Sequence, residues 1–397
     1  MKYPKKRIVT NKDKMGKAGE SVLDEVAVDG KAISQKAAAL FDLRLSPGKK
    51  ALLALALVVV VFVSYCIGRY SSDIVAVATG TVNHFAVFFA NLSAGCAWDW
   101  SQLDWVDPVY VVNDVNLDTA LFNIRVPRIL VVLMVGGALS VAGASYQGMF
   151  KNPLVSPDLL GASAGASFGA CLAMLLNMPN LFIQLFAFAG GMVAVACVVG
   201  LNRVIRADAM LGLILGGILV GTLFQSGTSI IKLVADADDK LPSITFWLMG
   251  SFAGIKLEDF LMILPVMFVG FALLMSQRWK LNVLSFGEEE ARSLGINTGR
   301  TRLIVILAAT LLSSCSVAVA GIIGYIGLVV PHLTRAIVGP NYRLLLPATL
   351  VVGAVFLLIV DNFARCLYSV EIPVGLLTSI LGVPFFVFIY RKNMRGW

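Results

Sequence analysis

Apolar runs of about 20 residues recur along this chain, and that is the length a helix needs to cross the ~30 Å hydrocarbon core of a bilayer. They fall near 51–68, 129–149, 159–176, 182–202, 209–228, 260–277, 303–320, 345–367 and 374–390, with a shorter run at 322–333. Inside hydrocarbon each backbone amide must find its partner within the segment, so such runs fold as helices. Composition agrees: 58% of residues are hydrophobic and 14% charged, whereas soluble domains carry about 25% charge. The expected fold class is an all-α polytopic membrane protein with about ten transmembrane helices.

Charge placement orients those helices. Lys49 and Lys50, Lys151, Arg203 with Arg206, the 278–302 loop, Arg335 with Arg343, and the terminal Arg391, Lys392 and Arg395 share one side in a ten-span count, with Asp236, Asp238 and Asp239 on the other. Basic loops stay cytoplasmic. The expectation is therefore a multi-pass protein of the bacterial inner membrane with both termini cytoplasmic, residues 1–50 as a cytoplasmic extension and 51–397 as the transmembrane domain.

Residues 70–115 differ in character. They carry Asp73, Asp99, Asp104, Asp107 and Asp114, together with Trp98, Trp100 and Trp105, and no Lys or Arg. An external segment is expected, with 74–97 forming an external or interface-lying helix rather than an extra span, because Asn83, His84 and Asn91 interrupt it. The formal charge of +8 lies at segment ends, which argues for positive-inside topology and against nucleic acid. The six cysteines are scattered without a CxxC pair and read as structural thiols.

Absent motifs narrow the mechanism. No phosphate-binding G-x-x-x-x-G-K-[ST] loop, HExxH or GxSxG occurs, so the chain is expected to be no enzyme and to hold no cofactor of its own. The clearest intramembrane carboxylate, Asp361, has Arg365 one turn on, and a local ion pair is the simpler reading than an ion-coupling site. Energy is then expected from a partner, and the polar turn Gly287 to Gly295, with Glu288, Glu289 and Glu290 opening a short helix, is a natural docking element. A parallel internal repeat is also expected, since LSVAGASYQGMFKNPLV from Leu139 aligns with VAVAGIIGYIGLVVPHL from Val317.

Five motifs in order, RVPR (125–128), GALSVAGASYQGMFKNPLVSPDLLG (137–161), GEEEARSLG (287–295), GYIGLVVPHLTR (324–335) and EIPVGLLTSILGVPFF (371–386), resemble the FecCD family of ABC-importer permeases. That family includes vitamin B12, haem and ferric-siderophore systems. The resemblance implies a homodimer of ten-span subunits, two cytosolic ABC ATPases that bind the ATP and Mg²⁺, and an external substrate-binding protein. It implies that Glu288, Glu289, Arg292 and Leu294 couple to the ATPase, and that Arg125, Arg128 and Arg365 form a positive rim for the binding protein. Gly375, Gly382 and Pro384 would shape the pathway. The implied cargo is an iron chelate, with haem or cobalamin as the alternative; an ion-coupled carrier or a membrane enzyme would need no ATPase partner. The chain departs from the family pattern in its long N-terminus, in segment 70–115, and in a turn at 369–371 one residue shorter than usual.

Overall fold

The computed structural model describes residues 46–68, 73–99, 104–205, 209–368 and 370–393. Most of the expected N-terminal extension, Trp100, Arg206, Ser369 and Arg395 lie outside the described residues. The described residues are helical almost throughout, with one small hairpin among them. Its elements are α1 (Pro47–Cys66), α2 (Ile74–Ser93), β1 (Ala97–Asp99), β2 (Asp104–Val106), α3 (Val115–Asp118) and α4 (Val126–Phe150). They continue with α5 (Ala162–Leu175), α6 (Asn180–Ile205), α7 (Ala209–Val234), α8 (Lys240–Leu248), α9 (Leu257–Phe286) and α10 (Glu288–Ser293). The last are α11 (Thr298–Ala320), α12 (Ile326–Val338), α13 (Tyr342–Cys366) and α14 (Val374–Asn393).

Among the described residues, eight helical stretches are long and apolar enough to cross a membrane, and α5, α12 and the start of α14 are shorter apolar helices. The short ones fall where 159–176, 322–333 and 374–390 were expected. A 14-residue helix such as α5 reaches only about 21 Å at 1.5 Å per residue, so α5 must begin within the bundle. The loop before it folds back to place Pro157 against Gly327 and the Leu139 carbonyl. Similarly, α12 starts after a break at Gly321–Tyr325, where both Gly321 (φ +68°) and Tyr325 (φ +65°) adopt left-handed backbone.

The axis of the bundle is α4, which packs against α9, α11, α12 and α13 and is buried along most of its length. Its sequence explains this. Gly136, Gly143 and Ser140 are small, so Gly136 meets the backbone of Gly353 in α13, while a methyl at Gly143 would overlap the Gly327 carbonyl of α12. In lipid, close backbone approach of this kind supplies much of the helix contact. The two echoing segments come together here and run the same way: Gly327 faces Gly143, and further along Arg335 donates to Gln147 Oε1 at 2.7 Å.

Upstream, α3 runs through a π-helical stretch, Thr119–Arg125, into α4, giving one helix of 36 residues, about 54 Å long at 1.5 Å per residue. The excess beyond bilayer thickness carries Leu117, Leu121 and Phe122, which pack with Cys66 and Val77. In β1 and β2, Trp98 faces Trp105 across the strands with ring centroids 5.1 Å apart, and Phe88 of α2 lies 5.3 Å from Trp105.

The close approach at Gly143 makes a direct prediction. Gly143→Val has no space without moving backbone, so it should cost at least the ~1–3 kcal/mol typical of overpacking. Gly200→Val, whose added carbon meets nothing within 4 Å, should leave the thermal midpoint in detergent unchanged. Equal midpoints for the two variants would contradict the packing assignment.

Candidate functional site

Three places on the bundle carry polar chemistry. At the Arg125 end, Arg125, Arg128 and Arg365 are brought together, and all three are buried. Arg128 is the hub: its Nη2 donates to Asp361 Oδ1 at 2.8 Å, its Nε lies 3.1 Å from both Asp361 oxygens, and its Nη1 lies 3.0 Å from both Glu371 oxygens. Asp361 is wholly buried and also pairs with Arg365 Nε at 3.6 Å. The local pair expected from sequence is therefore present, but the tighter geometry comes from Arg128, 233 positions away.

The same arginines complete α1. Its last four carbonyls have no intrahelical donors. Val63 O accepts from Ile67 N at 2.9 Å, Ser64 O from Arg365 Nη2 at 2.8 Å, and Tyr65 O and Cys66 O from Arg125 Nη1 at 2.8 and 3.2 Å. Cations suit a helix C-terminus, and in apolar surroundings an unmet carbonyl is costly. Three guanidinium groups thus converge with Asp361 and Glu371 in one cluster. Glu371 and Ser64 had no role assigned from sequence; nothing in a linear reading ties an acid before the last helix to an arginine at the start of α4.

A cavity of about 760 Å³ opens between α5 and α7, walled by Asp158, Ser163, Ser167, Thr222, Gln225, Thr228, Ser229 and Lys232 among others. On α7, Thr222, Gln225, Ser226 and Ser229 are all exposed and lie on successive turns of one face. Their hydroxyls satisfy themselves on their own helix, Thr222 Oγ1 to Ile218 O at 2.7 Å and Ser229 Oγ to Gln225 O at 3.0 Å. Ser163 donates to Asp158 across the cavity wall. A polar stripe on a helix of membrane length faces a bundle interior or water-filled space rather than lipid. The signal was readable, as hydroxyls and an amide at i, i+3, i+4 and i+7. Among the described residues, no group of three His, Cys, Asp or Glu side chains could hold a metal.

The third place is α10, the short helix expected at Gly287–Gly295. Ala291 is buried with Val283, Leu284 and Ile296, which pins the turn to the end of α9. Glu288 faces inward and accepts from Arg302 Nη2 at 2.6 Å, Arg292 Nη2 at 2.8 Å and Thr298 Oγ1 at 3.1 Å. Partial burial opposes the charged form, but the Arg302 hydrogen bond and charge, with Thr298 and Arg292, outweigh it and hold the Glu288 carboxyl below the usual glutamate range. Glu289 and Arg292 are exposed, and Leu294 presents 63% of its surface to solvent beside exposed Phe286.

Gly375 and Gly382 look into the bundle. Gly375 sits against the Met249 and Ile322 carbonyls, and Gly382 against the Tyr325 ring; Pro384 is exposed. The two glycines let α14 lie close to its neighbours and so set where its exposed face stands.

The FecCD transport family matches residues 57–392. The chain is 36% identical to the molybdate import system permease protein MolB of Haemophilus influenzae, over 87% of this chain and 95% of that protein. It is 35% identical to the hemin transport system permease protein HmuU of Yersinia pestis, over 81% and 93%. A solved inward-facing conformation of a metal-chelate type ABC transporter is similar at 34% identity and a TM-score of 0.74, covering 87% of this chain and all of that one.

Two outcomes follow from this geometry. Arg128→Ala strands the buried Asp361 carboxylate beside a single arginine, and breaking such a pair typically costs about 3–5 kcal/mol; the folded fraction after detergent extraction should fall sharply, and a wild-type midpoint would contradict the hub assignment. At α10, the carboxyl of Glu288 is depressed, so its contribution is complete above the ordinary glutamate pKa of about 4.3 and is lost as pH falls through the lower folded value. Hydrogen exchange at 287–295 should rise on acidification through that window, and Glu288→Gln should abolish the pH dependence.

Proposed function

The chain belongs to the FecCD transport family of ABC-importer permeases, and on that premise we propose that it carries a ferric siderophore or a closely similar iron chelate. The subunit forms the translocation pathway of a metal-chelate type importer. The observation that supports the finer reading is the polar face of α7, where hydroxyls, an amide and Lys232 line the cavity. An oxygen-rich, hydrophilic chelate suits such walls better than the flat apolar face of a haem. A relative in Helicobacter pylori is named as a probable iron chelatin transport system permease protein at 36% identity over 71% of this chain. Haem or cobalamin remains the second reading, favoured by the hemin and cobalamin permeases among the relatives.

In this proposal two copies of the chain enclose the pathway, each laying its α7 stripe on water. Two cytosolic ABC ATPases, which hold the ATP and Mg²⁺, seat on α10 with its 278–302 surroundings, where Glu289, Arg292 and Leu294 are free to touch a partner surface and Glu288 keeps the helix in place. An external binding protein docks at the Arg125 end. Since Arg125, Arg128 and Arg365 are buried and bond within the protein, they would act there through positive charge at the rim and through its rigidity, and such charge steers encounter more than it sets affinity. Gly375, Gly382 and Pro384 shape the pathway indirectly, through the position of α14. Both termini and the 1–50 extension are cytoplasmic, and 70–115 is external, in the bacterial inner membrane.

The coupling assignment is tested with Leu294→Asp and with Glu289→Ala combined with Arg292→Ala in the reconstituted complex. Insertion and thermal midpoint should be unchanged, while ATPase retention on co-purification and substrate-stimulated ATP hydrolysis fall; undiminished stimulation would reject α10 as the docking element. The substrate is tested by uptake of radioactive iron as a ferric hydroxamate into vesicles holding the whole importer. Competition by molybdate, haemin or cobalamin but not by a second ferric chelate would move the assignment to that class.

A further inference from the structure

Helix α2 passes every compositional test for a membrane crossing, yet its surroundings forbid one. The last carbonyls of α1, at Tyr65 and Cys66, bond to Arg125 at the start of α4, so the chain leaves the bundle and returns to it at one level. A single crossing by α2 would need a second crossing to come back. Among the described residues between α2 and α3 there is instead a hairpin bearing Asp99, Asp104 and Asp107.

The direction of α2 follows from its contacts. Gly80 packs on Leu117 and Leu121, while His84, four residues later, bonds Asp118 at 2.6 Å and stacks on Phe122 with centroids 3.6 Å apart. Advancing one turn along α2 moves the partner by one residue only. The helix therefore crosses the α3–α4 extension instead of following it, and since α4 runs through the membrane, α2 lies roughly in the membrane plane. Its height is given by Thr81, which hydrogen-bonds Tyr65 at the end of α1 at 2.9 Å.

Two apolar faces result. One covers Leu117, Leu121 and Phe122. The other, formed by Val75, Val82, Phe85, Phe89 and Leu92, is 50–70% exposed, and no Asp, Glu, Lys or Arg occurs from Ile74 to Trp98. Phe62 and Val63 at the end of α1, the helix to which Thr81 bonds, are exposed as well, and the Trp98–Trp105 pair packs on Phe88 of α2 in the manner of interfacial aromatics. We propose that α2 is a lipid-surface helix, with Val82, Phe85 and Phe89 immersed in the acyl region of the leaflet at the Arg125 end and the acidic hairpin held above the headgroups. The charged face usual in such helices is replaced here by the protein itself.

Spin labels read this directly. In a background with Cys96, Cys197 and Cys366 changed to Ala, single labels are placed at Val82→Cys, Phe89→Cys and Asp104→Cys, all exposed positions. The protein is reconstituted in phosphatidylethanolamine–phosphatidylglycerol vesicles, and collision rates with oxygen and with nickel ethylenediaminediacetate are compared. Labels at 82 and 89 should favour oxygen several-fold, and the label at 104 should favour nickel. Preference for nickel at 82 and 89 would place the face in water, and shielding from both reagents would show a protein cover, a second copy or an external partner; either result overturns the proposal.

Discussion

Helices in hydrocarbon gain nothing from the hydrophobic effect by touching one another, so this bundle depends on how near α4 lets its neighbours come. Gly136 and Gly143 admit the backbones of α13 and α12, and the loop carrying Pro157 can then fold back against Gly327. The consequence reaches the cavity. With that loop inside the bundle, Leu159 and Gly161 press on Gly217 and Gly221 of α7, beside the Thr222, Gln225 and Ser229 that line the same cavity. Small residues at one helix thus help to set how another lies along the cavity wall.

Charge plays the complementary part. Arg128 joins α4 to α13 and to the approach to α14, while Arg125 and Arg365 hold the end of α1. Each guanidinium offers several fixed donors that stay charged at any relevant pH, so few residues satisfy carbonyls of α1 and carboxylates from α13 and from the approach to α14. Small-residue contacts leave helices able to slide on one another. An ionic clasp at one end gives that motion a fixed point.

What the sequence made legible was local. Bilayer-length runs announced the spans, and three glutamates after Gly287 announced α10, whereas 322–333 was visible only as a shorter run and not as a helix beginning after a break. The partner of Arg128 was not legible, because its carboxylates lie 233 and 243 positions away and no periodicity links them. The inward turn of Glu288 was equally hidden, since a run of three glutamates looks alike until Arg302 singles one out. The polar stripe of α7 sat between these cases: its spacing was visible, but within a bilayer-length apolar run it read only as a span.

The π-helical stretch Thr119–Arg125 works as a phase adjuster between two helices that share one rod. Successive residues on an α-helix step by about 100°, and a widened turn of this kind accommodates the equivalent of an added residue. The residues before it are thereby rotated relative to those after it, so that Leu117 can address α2 while Arg128 addresses α13. The azimuth of the whole acidic, tryptophan-bearing cap is set by this one wide turn. Lengthening or shortening the chain there by a single residue would swing the cap around the bundle without altering a contact inside either part.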